Sequence, residues 1–119
     1  MKNLLWVMLG GGIGAGLRYG FSMAAVRLAV QTHWATLVVN VLASALLALV
    51  IQWAPQKSGP LYLFLAVGLC GGWSTFSTFS VETMTLIQNG EWPMALLYVL
   101  SSTVLCFLAV YAVFSAAGA

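Results

Sequence analysis

The chain has 119 residues, of which 62% are hydrophobic and only 5% charged, with a mean hydropathy of +1.02 and a net charge of +2. Soluble domains carry roughly 25% charged residues, and four lysines and arginines with two glutamates cannot clothe a water-facing surface, so the solvent is lipid. The small net charge and the lack of any basic cluster exclude nucleic acid as a partner.

Taking about 20 apolar residues for each crossing, the sequence predicts a single-domain, all-α membrane protein over residues 1–119. Its four transmembrane helices fall at residues 4–28, 33–53, 60–88 and 92–115. Lys2 and the apolar run from Leu4 have the make-up of a signal-peptide start, and are read here as the opening of the first span. Pro55, Lys57, Ser58 and Gly59 form the turn between spans two and three, and Asn89-Gly90-Glu91 with Pro93 the turn into span four. Trp6, Trp34, Trp53 and Trp92 lie near span ends, at headgroup level. The lysine and arginine count of the loops is nearly balanced, Lys2 and Lys57 against Arg27 and Arg18. Balance of this kind predicts insertion in both orientations and pairing as an antiparallel homodimer. Four helices pack around side chains rather than water, so a pore would lie at a subunit interface or have few lining residues.

In span one, Gly10/Gly14 and Gly12/Gly16/Gly20 recur four residues apart, a spacing that suits close helix packing. Arg18 in this glycine-rich helix either snorkels or draws anions into a vestibule. In span two, His33, Thr36, Asn40 and Ser44 form one polar stripe. The Asn40 amide either replaces water around a permeating anion or bridges a neighbouring helix. His33, at the end of the span, reads as an interfacial residue.

Span three contains Gly71-Gly72-Trp73-Ser74-Thr75-Phe76-Ser77-Thr78-Phe79-Ser80, two glycines and then five hydroxyl residues in seven positions. This is poor helix material, and it predicts a mid-membrane break from Gly71 to about Thr75. Non-helical backbone at that depth survives only when buried in protein or lining a hydrated cavity, and its free carbonyls can coordinate a cation. Phe76 and Phe79 share a face, either as core packing or as two positive ring edges toward a small anion. Glu82 is the only acid inside a span, placed to pair with an arginine, hold water near a channel mouth or reach the interface. In span four Tyr98, Ser102 and Cys106 recur every four residues. Ser101 and Thr103, on other faces, are expected to bond their own helix carbonyls. Cys70 and Cys106 sit in apolar segments with no spacing that suits a metal or a disulfide.

The run from Gly71 to Ser80, with Gly10-Gly11-Gly12-Ile13-Gly14-Ala15-Gly16-Leu17-Arg18-Tyr19 and Asn40, closely resembles the Fluc family of bacterial fluoride channels over the whole chain. The resemblance implies a dual-topology antiparallel homodimer in the bacterial inner membrane, with two passive fluoride pores at the subunit interface. Phe76 and Phe79 would line each pore, Asn40 would be the central amide donor, and Ser77 and Thr78 would lie beside them. Gly71 and Ser74 would each offer a backbone carbonyl to a structural sodium ion at the dimer centre. Arg18 would attract anions, Glu82 would lie near the path, and Tyr98 and Ser102 would begin a hydroxyl track in span four. Cys106 takes the next position of that track, where a further hydroxyl is expected.

Two rivals stand beside this reading. A proton-coupled small multidrug-type exporter would need a midplane carboxylate, usually in the first helix, and span one has none. A non-transporting membrane assembly subunit would give no solute flux. An enzyme is not expected, because no nucleophile, base and orienting group come together at a workable spacing.

Overall fold

Four helices carry the chain in this computed structural model, which describes residues 1–54 and 57–118. They are α1 (Lys2–Arg27), α2 (Thr32–Trp53), α3 (Pro60–Gln88) and α4 (Trp92–Ala116), and no strand occurs among the described residues. Pro55, assigned above to a turn, lies outside the described residues.

The helix ends follow from local chemistry. α3 ends in paired bonds, Gly90 N–H to the Ile87 carbonyl and Glu91 N–H to that of Leu86, with Gly90 at φ +79. This is the Schellman arrangement, in which a residue at positive φ closes the last turn. α1 ends in the same way, Ala29 N–H to Val26 and Val30 N–H to Ala25, but Ala29 occupies the left-handed position at φ 58. Pro60 and Pro93 sit in the first turns of α3 and α4, where a missing N–H leaves nothing unpaired.

α3 is not uniform along its length. Its first arm comprises a turn at Pro60–Tyr62, π-helical turns over Leu63–Cys70 and a further turn at Gly71–Trp73. Ser74 (φ −76, ψ 157) and Thr75 (φ −153, ψ 123) are extended, and regular helix resumes over Phe76–Gln88. The extended backbone is therefore shorter than the 71–75 stretch anticipated from composition, and both glycines remain helical. The physical reason is contact with α1. A Cβ on Gly72 would collide with the Gly11 carbonyl oxygen, and one on Gly68 would come within 2.7 Å of the Val7 carbonyl oxygen. From the other side, a Cβ on Gly10 would strike the Phe64 carbonyl and one on Gly14 the Leu69 carbonyl. Glycine is needed here for backbone approach, which outweighs its weak helix propensity. The longer series Gly12, Gly16 and Gly20 faces open space instead.

α1 packs chiefly against the first arm of α3, and α2 chiefly against α4, with the second arm of α3 also on α4. Large apolar side chains cover the outside, among them Leu4, Met8, Leu96, Leu100 and Leu108, as a lipid-facing surface requires. α2, α3 and α4 are long and apolar enough to cross a membrane. At 26 residues α1 is about 39 Å long at 1.5 Å per residue, but its glycines, Lys2, Arg18 and Arg27 dilute its hydropathy. The molecule is 47 Å in its longest dimension, close to a bilayer of roughly 40–45 Å with its headgroups.

Candidate functional site

The site begins at Thr75. Its extended backbone points a free N–H and a free C=O at α2, and one side chain satisfies both. Thr75 N–H donates to Asn40 Oδ1 at 2.9 Å, and Asn40 Nδ2 donates to the Thr75 carbonyl at 3.2 Å. The amide thereby acts like a strand edge, pairing with a backbone that would otherwise be orphaned at depth. The bridging role open to Asn40 in the sequence is thus filled, and one of its two amide N–H groups is left over. Thr75 Oγ1 accepts from Thr78 N–H at 3.1 Å, capping the resumed helix, and shares a 3.3 Å hydrogen bond with Ser77 Oγ.

The cap aims the next turn. Phe76 and Phe79 lie with ring centroids 5.7 Å apart, and Phe79 continues onto Tyr98 at 5.0 Å. Tyr98 is fully buried and donates its hydroxyl to Glu82 Oε1 at 2.9 Å. On its other contacts it meets His33 at 5.1 Å and Trp34 at 6.4 Å. His33 and Trp34, at the start of α2, are part of this aromatic cluster; His33 is buried and Trp34 half-buried. Short connections bring the starts of α2 and α4 together, so that Tyr98 closes over them.

Beside the aromatic pair runs an open-sided groove of about 400 Å³. Its polar lining is Asn40, Ser44, Ser74, Thr75, Ser102 and Thr103, and Phe76, Phe79, Cys106 and Phe107 complete it. Phe76 is 78% exposed on its rim. Ser102 Oγ is buried with no hydrogen-bond partner, an unusual state for a hydroxyl and a donor available to a guest. Thr103 Oγ1 and Ser101 Oγ bond the carbonyls four residues back, Val99 and Leu97, as their own-helix default anticipates. No lysine, arginine or carboxylate lines the groove. Of the sequence-derived candidates, Asn40, Ser74, Phe76, Phe79 and Ser102 meet there. Ser77 and Thr78 sit on the exposed cap beside it, Tyr98 and Glu82 back it, and half-buried Arg18 on α1 is not among its lining. Thr75, the residue that ties the site together, was not singled out from sequence. The signal was present as a hydroxyl residue three positions before Thr78 at the start of a helix.

The same hydrogen bonds release two carbonyls. Thr75 N–H goes to Asn40 instead of Gly71 four residues back, and Thr78 N–H goes to Thr75 Oγ1 instead of Ser74. Gly71 itself is exposed, and a Cβ there would meet nothing. Neutral carbonyl oxygens of this kind are hard donors that fit a small hard cation such as sodium. Among the described residues no cluster of three or more His, Cys, Asp or Glu side chains offers a transition-metal site.

A family profile described as CrcB-like protein, Camphor Resistance (CrcB), matches residues 5–114. The protein named fluoride-specific ion channel FluC from Magnetococcus marinus is 44% identical over 116 residues, covering 92% of each chain. The protein of that name from Thermus thermophilus is 44% identical over 105 residues, 86% of this chain and 84% of its own. Its namesake from Methylobacterium sp. (strain 4-46) is 42% identical over 105 residues, covering 86% and 85%. With a matching profile across nearly its whole length and such relatives, the chain belongs to the CrcB-like family that includes the FluC proteins.

Proposed function

We propose that this chain is a fluoride-selective channel through which cytoplasmic fluoride leaves the cell passively, and that the groove beside Thr75 is half of its pathway. The observation that carries the reading is the make-up of the groove: a spare Asn40 N–H, an unpartnered Ser102 hydroxyl and the Phe76/Phe79 pair, without a fixed charge. Fluoride is small and strongly hydrated, so a pore must replace its water with good donors. Amide, hydroxyl and ring edges do this without the tight hold of an ammonium that would trap the ion. The names of the relatives at 42–44% identity support the same ion. The family is one of ion channels, not enzymes.

An open-sided polar groove facing hydrocarbon is costly, which supports a second copy closing it. The proposed assembly is an antiparallel homodimer of dual topology in the bacterial inner membrane. Each chain contributes four spans, with α1 crossing as well and the third span broken at Ser74 and Thr75. Two copies related by a two-fold axis bring two pairs of freed carbonyls together. Gly71 and Ser74 would hold a sodium ion there. When bound, such a cation supplies a fixed positive charge that joins the two breaks. Arg18 would draw anions toward the pathway from outside the groove.

The exporter reading has little to recommend it, since α1 carries no acid and Glu82 is engaged by Tyr98. Replacing Glu82 with glutamine separates the two: passive fluoride flux survives in a channel and transport stops in a proton-coupled exporter. The proposal is tested by expression in a bacterium deprived of its own fluoride export. Growth should return at fluoride concentrations that halt the parent strain. A strain that stays sensitive while the protein is present in its membrane would contradict it.

A further inference from the structure

The chain has two cysteines, and the fold treats them differently. Cys70, in the first arm of α3, is 2% exposed and is not among the lining of the groove. Cys106 of α4 is half-buried and lines it, and both thiols are free. One turn before Cys106 on the same helix face stands Ser102. Its side chain is 6% exposed, it lines the same groove, and its Oγ has no hydrogen-bond partner. Residues four apart on a helix hold their Cβ atoms about 5–6 Å from each other. Thr103, the other α4 hydroxyl of the lining, is already spent on the Val99 carbonyl at 2.9 Å. The groove therefore offers a nucleophile and, within the length of a short molecule, an unused O–H donor, in a lining without charged side chains.

We propose that Cys106 and Ser102 form a covalent modification site for small, uncharged α,β-unsaturated carbonyl compounds, and that the adduct closes the groove to fluoride. The thiolate is the nucleophile, its proton passing to water in the groove. Sulfur adds to the β-carbon of the double bond. The S–C bond forms, the C=C π pair shifts toward the carbonyl, and negative charge gathers on its oxygen as an enolate. Ser102 Oγ–H donates to that oxygen, where the charge develops. A proton from water then returns at the α-carbon and leaves a neutral thioether. The sum is addition of S–H across the double bond, with no oxidant and no leaving group. A buried structural thiol such as Cys70 is inert to this chemistry. The adduct depends on the groove alone, whereas the block rests also on the groove being the fluoride pathway.

In the test, full-length protein in lipid vesicles is treated with methyl vinyl ketone, and the adduct on each cysteine is followed by peptide mass spectrometry. Cys106 should be modified about tenfold or more faster than Cys70, while both react in the denatured protein. Fully modified protein should release fluoride about tenfold more slowly than untreated protein. Treatment should slow Cys106→Ser by less than about twofold, measured against its own untreated flux. Ser102→Ala should slow the addition by about fivefold, the worth of one hydrogen bond. The same variant should react at the unchanged rate with iodomethane, which has no acceptor oxygen. Equal labelling of the two cysteines in the folded protein, or none at Cys106, overturns the site. A fully labelled Cys106 with undiminished flux overturns the block. A Ser102→Ala protein slowed equally with both reagents, or with neither, overturns the role of Ser102. The labelling comparison needs no variant and decides alone if either substitution prevents folding. Absence of fluoride release before treatment removes the channel reading and the block with it, and the labelling pattern still decides the site.

Discussion

Phe79 lines the groove and rests on Tyr98, whereas Phe76 stands at the rim with little to support. Their substitutions therefore separate conduction from packing. Phe76→Ile should cut fluoride flux by about tenfold or more, about 1.4 kcal/mol of barrier, while thermal unfolding in detergent stays where it was. Phe79→Ile should lose flux and some stability together. Normal flux in both variants would mean that the rings only pack. Asn40→Ala would strip Thr75 of two hydrogen bonds; leaving a buried polar group unpaired costs about 1–3 kcal/mol, visible as a lowered unfolding midpoint along with lost flux. Most of the site's residues were legible because rings, an amide and hydroxyls at helical spacing are rare inside a span. What the pattern did not contain was the partner of Asn40. A side chain thirty-five positions away is brought to Thr75 only by the packing of α2 on α3, and no local period reports it. The packing of Tyr98 on His33 was not legible for a related reason: it follows from how α4 meets the start of α2, which no local period reports.

Among the elements, α1 and the first arm of α3 offer a contrast that sequence spacing alone could not supply. Gly14 and Gly16 both belong to small-residue series, yet a Cβ on Gly14 would meet α3 backbone and one on Gly16 would meet nothing within 4 Å. Gly14→Ala should destabilise the protein by about 1–3 kcal/mol or more, the scale of overpacking a tight contact. Gly16→Ala should be neutral or stabilising within about 1 kcal/mol, reflecting helix propensity alone. Unfolding by heat in detergent checks the pair, and equal losses would contradict the assignment of faces. Ala29 offers a second case. It holds a left-handed position that costs an L-residue about 1–2 kcal/mol, so Ala29→Gly should raise stability by about 1 kcal/mol. Hydropathy makes α2, α3 and α4 readable because their apolar runs are long, and the turns on either side of α3 carry proline, glycine or asparagine, whereas α1 is read from its length and its more dilute apolar run. The extent of the irregular stretch was not readable, since composition marks Gly71 and Gly72 as weak helix formers while the packing of Gly72 on Gly11 of α1 accompanies a turn that stays helical.

For the whole molecule, the arrangement of polarity is inverted relative to a soluble domain. Many leucines and methionines face outward, and of the buried polar residues His33, Thr75 and Ser102 lie in the groove or its backing cluster. Composition announces that inversion, because six charged residues leave no other solvent. It does not reveal where the groove opens, which depends on how the helices pack. The near balance of Lys2 and Lys57 against Arg18 and Arg27 gives the assembly its own prediction: a reporter fused after Ala116 should be found on both sides of the membrane in comparable amounts. A reporter confined to one side would rule out dual topology. The central claim, that the pathway conducts fluoride, is tested most directly by halide-electrode recording of efflux from liposomes containing the purified protein. Fluoride should empty rapidly from vesicles that carry the protein, while chloride stays inside over the same interval. Chloride release at a matching rate, or fluoride retention equal to that of protein-free vesicles, would contradict it.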